Sequence, residues 1–176
     1  LGRIFDLERE EIDMIRLIID RLGSGHDDLF LKIDLMPSFS RTADSYYLFD
    51  FLEIDELEIE KQKINSDSIL AFGAVKLIDY WTERIKSIEK GQVKFIPFDL
   101  WDEYIGGLRI EKTKLGYKVK LASTDKIHGY GVGKSNLDRQ IEESNLTFTE
   151  DEKAEWLISE QALFDGLEWS KSELKK

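Results

Sequence analysis

Apolar positions along this chain change their spacing from segment to segment, and those changes predict its elements. Between residues 6 and 22, Ile12, Ile15, Ile18, Ile19 and Leu22 recur at helical spacing. Acids stand early in that segment (Asp6, Glu8, Glu10, Glu11) and Arg21 stands late, the order a helix dipole favours, so an N-terminal helix stopped by Gly23-Ser24-Gly25 is expected. Leu29, Leu31, Ile33 and Leu35 then alternate on one face, which predicts a strand ended by Met36-Pro37. Ser38 to Ser45 is polar and reads as a loop. Tyr46 to Ile54 is rich in aromatic and β-branched residues, yet its apolar phase slips: Leu52 and Ile54 are even-numbered, Leu57 and Ile59 odd. Two strands, or one strand kinked by a bulge near Asp55-Glu56, would account for the slip.

The most regular helical pattern starts at Ser66 or Ser68 and carries Leu70, Ala74, Leu77, Trp81, Ile85 and Ile88 on one face until Gly91. Strands follow at Val93 to Phe98, Tyr104 to Thr113 and Tyr117 to Ser123, the last two joined through Leu115-Gly116 as a hairpin. Lys126 to Lys134 is a glycine-rich loop, and Leu137 to Ile141 adds a helical turn. Thr149-x-x-Glu152 has the form of a capping box, predicting a last helix through about Leu163 that Gly166 ends. The expected architecture is a single α+β domain over residues 1–176: an antiparallel sheet against a long central helix, flanked by N- and C-terminal helices. Its predicted core includes Leu70, Leu77, Trp81, Ile85, Val93, Phe95, Leu108, Val119, Leu121 and Trp156.

Composition narrows the function classes. With 41% hydrophobic and 11% aromatic residues in 176, the chain holds enough apolar mass to fold without disulfides or metals. The absence of cysteine excludes disulfides, thiolate nucleophiles and sulfur-ligated zinc, and fits a reducing, cytoplasmic setting. The longest clean apolar run, Ile69 to Val75, is far below the roughly 18–20 residues that span a bilayer, so no membrane helix is expected. A net charge of −11 disfavours nucleic acid and anionic membrane surfaces as partners.

That charge is unevenly spread. Residues 1–60 hold 16 acids and 6 bases, residues 61–148 hold 12 and 15, and residues 149–176 hold 8 and 4. In DFLEIDELEIE, residues 50–60, six acids stand without a base. If that stretch is a strand with Leu57 and Ile59 inward, Glu56, Glu58 and Glu60 form a carboxylate row beside Asp55. Such a row is either a solvated sheet face that resists aggregation or a surface that steers towards a basic protein.

Three further clusters carry possible chemistry. HGYGVGKS, residues 128–135, ends like a phosphate-binding loop, but His128 stands where that loop needs its first glycine, and Lys134 stands where a dinucleotide loop needs its third. No cofactor or metal site is therefore expected, and the string reads as a turn in which His128 and Tyr130 are placed to touch a ligand or partner. Asp99, Trp101, Asp102, Glu103 and Tyr104 crowd three more carboxylates and two rings into six residues. The bland reading is a capped turn; the sharper ones are a docking surface or, with His128, a small hydrolase or carbohydrate-active enzyme using Asp99 or Asp102. A self-associating scaffold is a further alternative.

The segments FIPFDLWDEYIGGL and KIHGYGVGKSNLDRQI, with the acidity and the helix-then-meander order, resemble small immunity proteins of bacterial polymorphic toxin systems over roughly residues 93–141. That resemblance implies a non-catalytic module that masks a basic toxin. The residues expected to meet such a partner are Asp55, Glu56, Glu58, Glu60, Asp99, Trp101, Asp102, His128 and Tyr130.

Overall fold

The computed structural model describes residues 14–143 and 147–176 and shows an α+β fold built on two antiparallel sheets. Strands β1 (Ile15–Ile19), β2 (Leu29–Ile33) and β3 (Phe39–Ala43) form the first, in sequential order. Helices α1 (Leu48–Leu52), α2 (Glu56–Lys61) and α3 (Ile69–Lys86) follow. The second sheet runs β4 (Val93–Leu100), β5 (Ile105–Lys112), β6 (Tyr117–Thr124) and β7 (Thr149–Ile158), with α4 (Leu137–Glu143) before β7 and α5 (Glu160–Leu174) after it. Helix α3 packs on β1, β4 and α5, while α5 lies along β1. Buried side chains from both sheets and from α1, α3 and α5 form one apolar cluster.

The long helix, β2 and the β4–β6 meander fall where the sequence places them. So does most of the core: Leu77, Trp81, Ile85, Phe95, Leu108, Val119, Leu121 and Trp156 are buried, and Leu70 packs against them half-buried. Val93 does not join them; it opens edge strand β4 and is 42% exposed.

Four segments differ from expectation. The N-terminal helix expected over 6–22 has its first positions outside the described residues, and its remainder is β1 followed by a turn. In β1 the buried Ile15 and Leu17 alternate in step with buried positions of β2: Ile15 pairs with Ile33 and Leu17 with Leu31, whereas Leu22, which the helical stripe would bury, is 94% exposed. The expected loop 38–45 contains β3, whose half-exposed pattern carries no apolar alternation to read. The expected strands of 46–60 are α1 and α2. Leu48, Phe51 and Leu52 are buried at helical spacing, and the phase slip at Asp55 is a helix junction, where the Asp55 carboxylate accepts the Glu58 N–H at 2.7 Å. The helix expected from Thr149 is strand β7, with Ala154, Trp156 and Ile158 inward; the true cap is Ser159, whose hydroxyl accepts the Ala162 N–H at 3.1 Å.

Gly166 does not end the last helix. It lies inside α5, where a Cβ would stand 2.3 Å from the Ile15 carbonyl oxygen, so glycine lets the helix rest on the strand backbone. One turn on, the fully buried Ser170 hydroxyl accepts the Leu17 N–H at 3.0 Å and donates to the Gly166 carbonyl at 2.8 Å, closing the open edge of β1. Gly166→Ala is expected to destabilise the protein by about 1–3 kcal/mol, although alanine gains about 1 kcal/mol in helix propensity. Urea unfolding checks the sign; a stabilised variant would show that α5 does not rest on β1 in this way.

Candidate functional site

Three non-adjacent segments meet in a cleft of about 310 Å³: the β1–β2 turn, the chain leaving β3, and the β4–β5 turn. Asp28 joins the first two. Buried to 1% exposure, its carboxylate accepts the Ser45 N–H (2.9 Å), the Ser45 hydroxyl (2.8 Å) and the Gly25 N–H (2.9 Å), while the Tyr46 N–H donates to the Gly25 carbonyl (3.1 Å). This fixes Asp44, which is also buried, beneath His26: one carboxylate oxygen accepts the Asp27 N–H at 2.7 Å and the other holds His26 Nδ1 at 2.8 Å.

Aromatic rings line the rest. His26 lies parallel to Tyr46 at 6.0 Å, and Tyr46 meets Tyr47 edge-on at 4.9 Å and 86°. The Tyr47 hydroxyl donates a hydrogen bond to Asp102. Trp101 stacks on Tyr104 at 6.3 Å and 10°. The Trp101 carbonyl accepts the Gly129 N–H at 2.7 Å, which ties the His128–Tyr130 turn to the β4–β5 turn. His128 and Tyr130 stack at 5.4 Å.

The extra residue of a bulge between Pro97 and Asp99 places Phe98 against Trp81 and turns Asp99 towards β3. Asp99 accepts from Arg41 Nη2 (2.7 Å), Arg41 Nε (3.1 Å) and the Tyr104 hydroxyl (3.1 Å), tying the two sheets together behind the cleft.

Electrostatics follow these bonds. The Asp44 carboxylate on Nδ1 holds the His26 imidazole above its ordinary value, aided by the charges of Asp28 and Asp27. The His26–Asp44 contribution to stability is therefore fully present below the ordinary histidine value and is lost as pH rises through the raised one. Asp44→Asn is expected to lower the His26 pKa, checked by imidazole NMR titration. Tyr47 is pushed up to about 12, chiefly by its bond to Asp102.

Of the residues the sequence singles out, Trp101 and Asp102 line this cleft; Asp99 lies behind it, and His128 and Tyr130 flank Gly129, whose N–H bonds the Trp101 carbonyl, without lining the cleft. Asp99, however, is the buried counter-ion of Arg41, so Asp99 and Asp102 do not form an open carboxylate pair of the kind glycoside hydrolysis needs. The expected carboxylate row is not formed. On helix α2 successive residues turn by about 100°, so Glu56 and Glu60 share a face while Glu58 turns away and pairs with Lys76 at 2.9 Å. Asp55 is the cap of that helix, and Leu57 is 60% exposed where a strand would have buried it.

The Gly-Lys-Ser turn holds an internal anion. Glu53 accepts the Ser135 N–H at 3.0 Å together with the Ser135 hydroxyl, and its carboxyl is thereby held below the ordinary range. A larger cavity of about 560 Å³ beside α3 is lined by Lys76, Lys86, Lys134 and Lys171 against four carboxylates, three of which close ion pairs with Lys76 and Lys171. Among the described residues no group of three or more metal-ligating side chains is placed to hold an ion, and no helix is long and apolar enough to cross a membrane.

No family model, curated protein or solved structure matches this chain. His26, Asp44, Tyr46 and Tyr47 escape sequence reasoning because they become a site only through the Asp28–Ser45 bonds; the sole local signal is the run of rings and short polar residues in Asp44-Ser45-Tyr46-Tyr47.

Proposed function

We propose that this chain is an acidic, cytoplasmic protein-binding module that docks a basic protein on the aromatic cleft, and that neutralising a toxin, as an immunity protein does, is its role. The observation carrying this reading is the set of exposed rings, Tyr46 (64%), Trp101 (44%) and Tyr130 (65%), set on a frame of buried hydrogen bonds with the exposed Asp102 carboxylate beside them. Rigid Tyr and Trp side chains supply large contact area at small entropy cost and dominate the energetics of many interfaces. Glu56 and Glu60, exposed on α2, act at longer range by steering a basic partner.

Affinity capture from the native host at low and moderate salt, in parallel with Trp101→Ala and with Glu56→Lys/Glu60→Lys, tests this. The expected result is a basic protein whose retention is lost with Trp101→Ala and whose association is slowed, with weaker salt dependence, by the double charge reversal. Retention indifferent to Trp101 would overturn the assignment of the surface.

One observation favours a second reading. Asp44 holds His26 by Nδ1 in the wall of the cleft and leaves Nε2 to act, the arrangement of a general base in a small hydrolase. Turnover of ester, glycoside or peptide substrates that disappears in His26→Gln would replace docking with catalysis.

A further inference from the structure

Resting on the docking reading, we infer that the cleft is a receptor for one arginine side chain of the basic partner. Tyr46 and Tyr47 both line this space, their rings perpendicular at 86° with centroids 4.9 Å apart, and His26 lies parallel to Tyr46 at 6.0 Å. Trp101 forms another wall, backed by Tyr104 and therefore held in orientation. Ring faces carry negative quadrupole potential and attract cations, most strongly where water is partly excluded. Asp102 adds a full charge at the mouth: one carboxylate oxygen accepts from Tyr47, and the other carries no described bond. Asp44 in the wall is already committed to His26 and the Asp27 N–H, so Asp102 is the carboxylate left to meet a cation.

Among the described residues no lysine or arginine lines this space; its one basic group, His26, is paired with Asp44, which leaves Asp102 as the lining carboxylate without a cationic partner, and Arg41 nearby is already committed to Asp99. A volume of about 310 Å³ suits one long side chain and not a helix or strand. A planar guanidinium satisfies all the walls together, stacking on a ring while its edge donates to Asp102. An ammonium offers no plane to stack.

The test titrates N-acetyl-arginine amide into the intact protein, following the Trp101 indole and Tyr46 ring signals by NMR, with N-acetyl-citrulline amide as the neutral isostere. Saturable binding near the millimolar range is expected, as a single side chain detached from its interface would give. Citrulline, Tyr46→Ala and Asp102→Asn should each weaken it about tenfold or more. Glu152→Gln, on β7 at the opposite edge of the second sheet from β4, should leave it unchanged. No saturable shift, or equal binding of citrulline, overturns the inference. If arginine binds but no basic protein is captured, the cation site stands and the docking reading falls; if a basic protein is held through Trp101 while arginine does not bind, the docking reading stands and this inference falls.

Discussion

Arg41→Met should cost about 3–5 kcal/mol of folding stability, because it removes the main partner of a buried carboxylate. The Asp99 side chain is 3% exposed, and one of its oxygens takes both guanidinium bonds and the Tyr104 hydroxyl while the other has no described partner. Without Arg41 the charge keeps only the tyrosine. The pair also joins strands of different sheets, β3 and β4, so the loss falls on the seam that holds the cleft's two sides together. Arg41→Met/Asp99→Leu should recover most of the loss, since replacing both partners removes the desolvated charge instead of stranding it. Urea unfolding of the two single variants and the double, with m-values compared, provides the check. A cost below about 1 kcal/mol for Arg41→Met would place this pair with ordinary surface ion pairs and would remove its role at the seam.

How far the sequence shows this fold depends on whether a segment's partner leaves a mark on the segment itself. Helix α3 does, because its face of Leu77, Trp81 and Ile85 has a period only a helix gives, and the β5–β6 hairpin does through Leu115-Gly116, with Gly116 at φ +138°. Residues 48–52 do not: Leu48, Phe51 and Leu52 have helical spacing, but five residues are too few to overrule aromatic content that favours strands. Ile15–Ile19 suits either element in isolation, and pairing with β2 on one side and α5 on the other decides it. Strand β7 is hidden by its charges, since its first five residues hold four carboxylate or lysine side chains and only the later ones alternate.

The candidate site divides in the same way. Trp101 and Asp102 are visible because the β4–β5 turn concentrates rings and acids locally. The acids of 50–60 are visible too, but their arrangement is not: the row expected on a strand becomes the opening of a helix, where Glu56 and Glu58 stand in the first turn and interact with its dipole. Composition survives the change of element; geometry does not. His26 illustrates the opposite failure, a residue without local context that gains an oriented Nδ1 bond from Asp44, 18 residues away.

Trp101→Ala should weaken the partner complex by at least about thirtyfold, roughly 2 kcal/mol, which is the loss expected where an exposed ring anchors an interface. The protein itself should stay folded. The Trp101 backbone, not its side chain, makes the hydrogen bonds to Tyr104 and Gly129 that shape the turn, and its ring is already 44% exposed. The loss should appear mainly as faster dissociation, because a packed aromatic contact acts after encounter, while charge acts before it. Asp102→Arg should behave differently, slowing association and flattening its dependence on salt. Stopped-flow or surface-based kinetics with the captured partner separate the two effects. If Trp101→Ala changes only the association rate, the ring is not seated in the complex, and the acidic field of Asp102, Glu56 and Glu60 would have to carry recognition without the cleft.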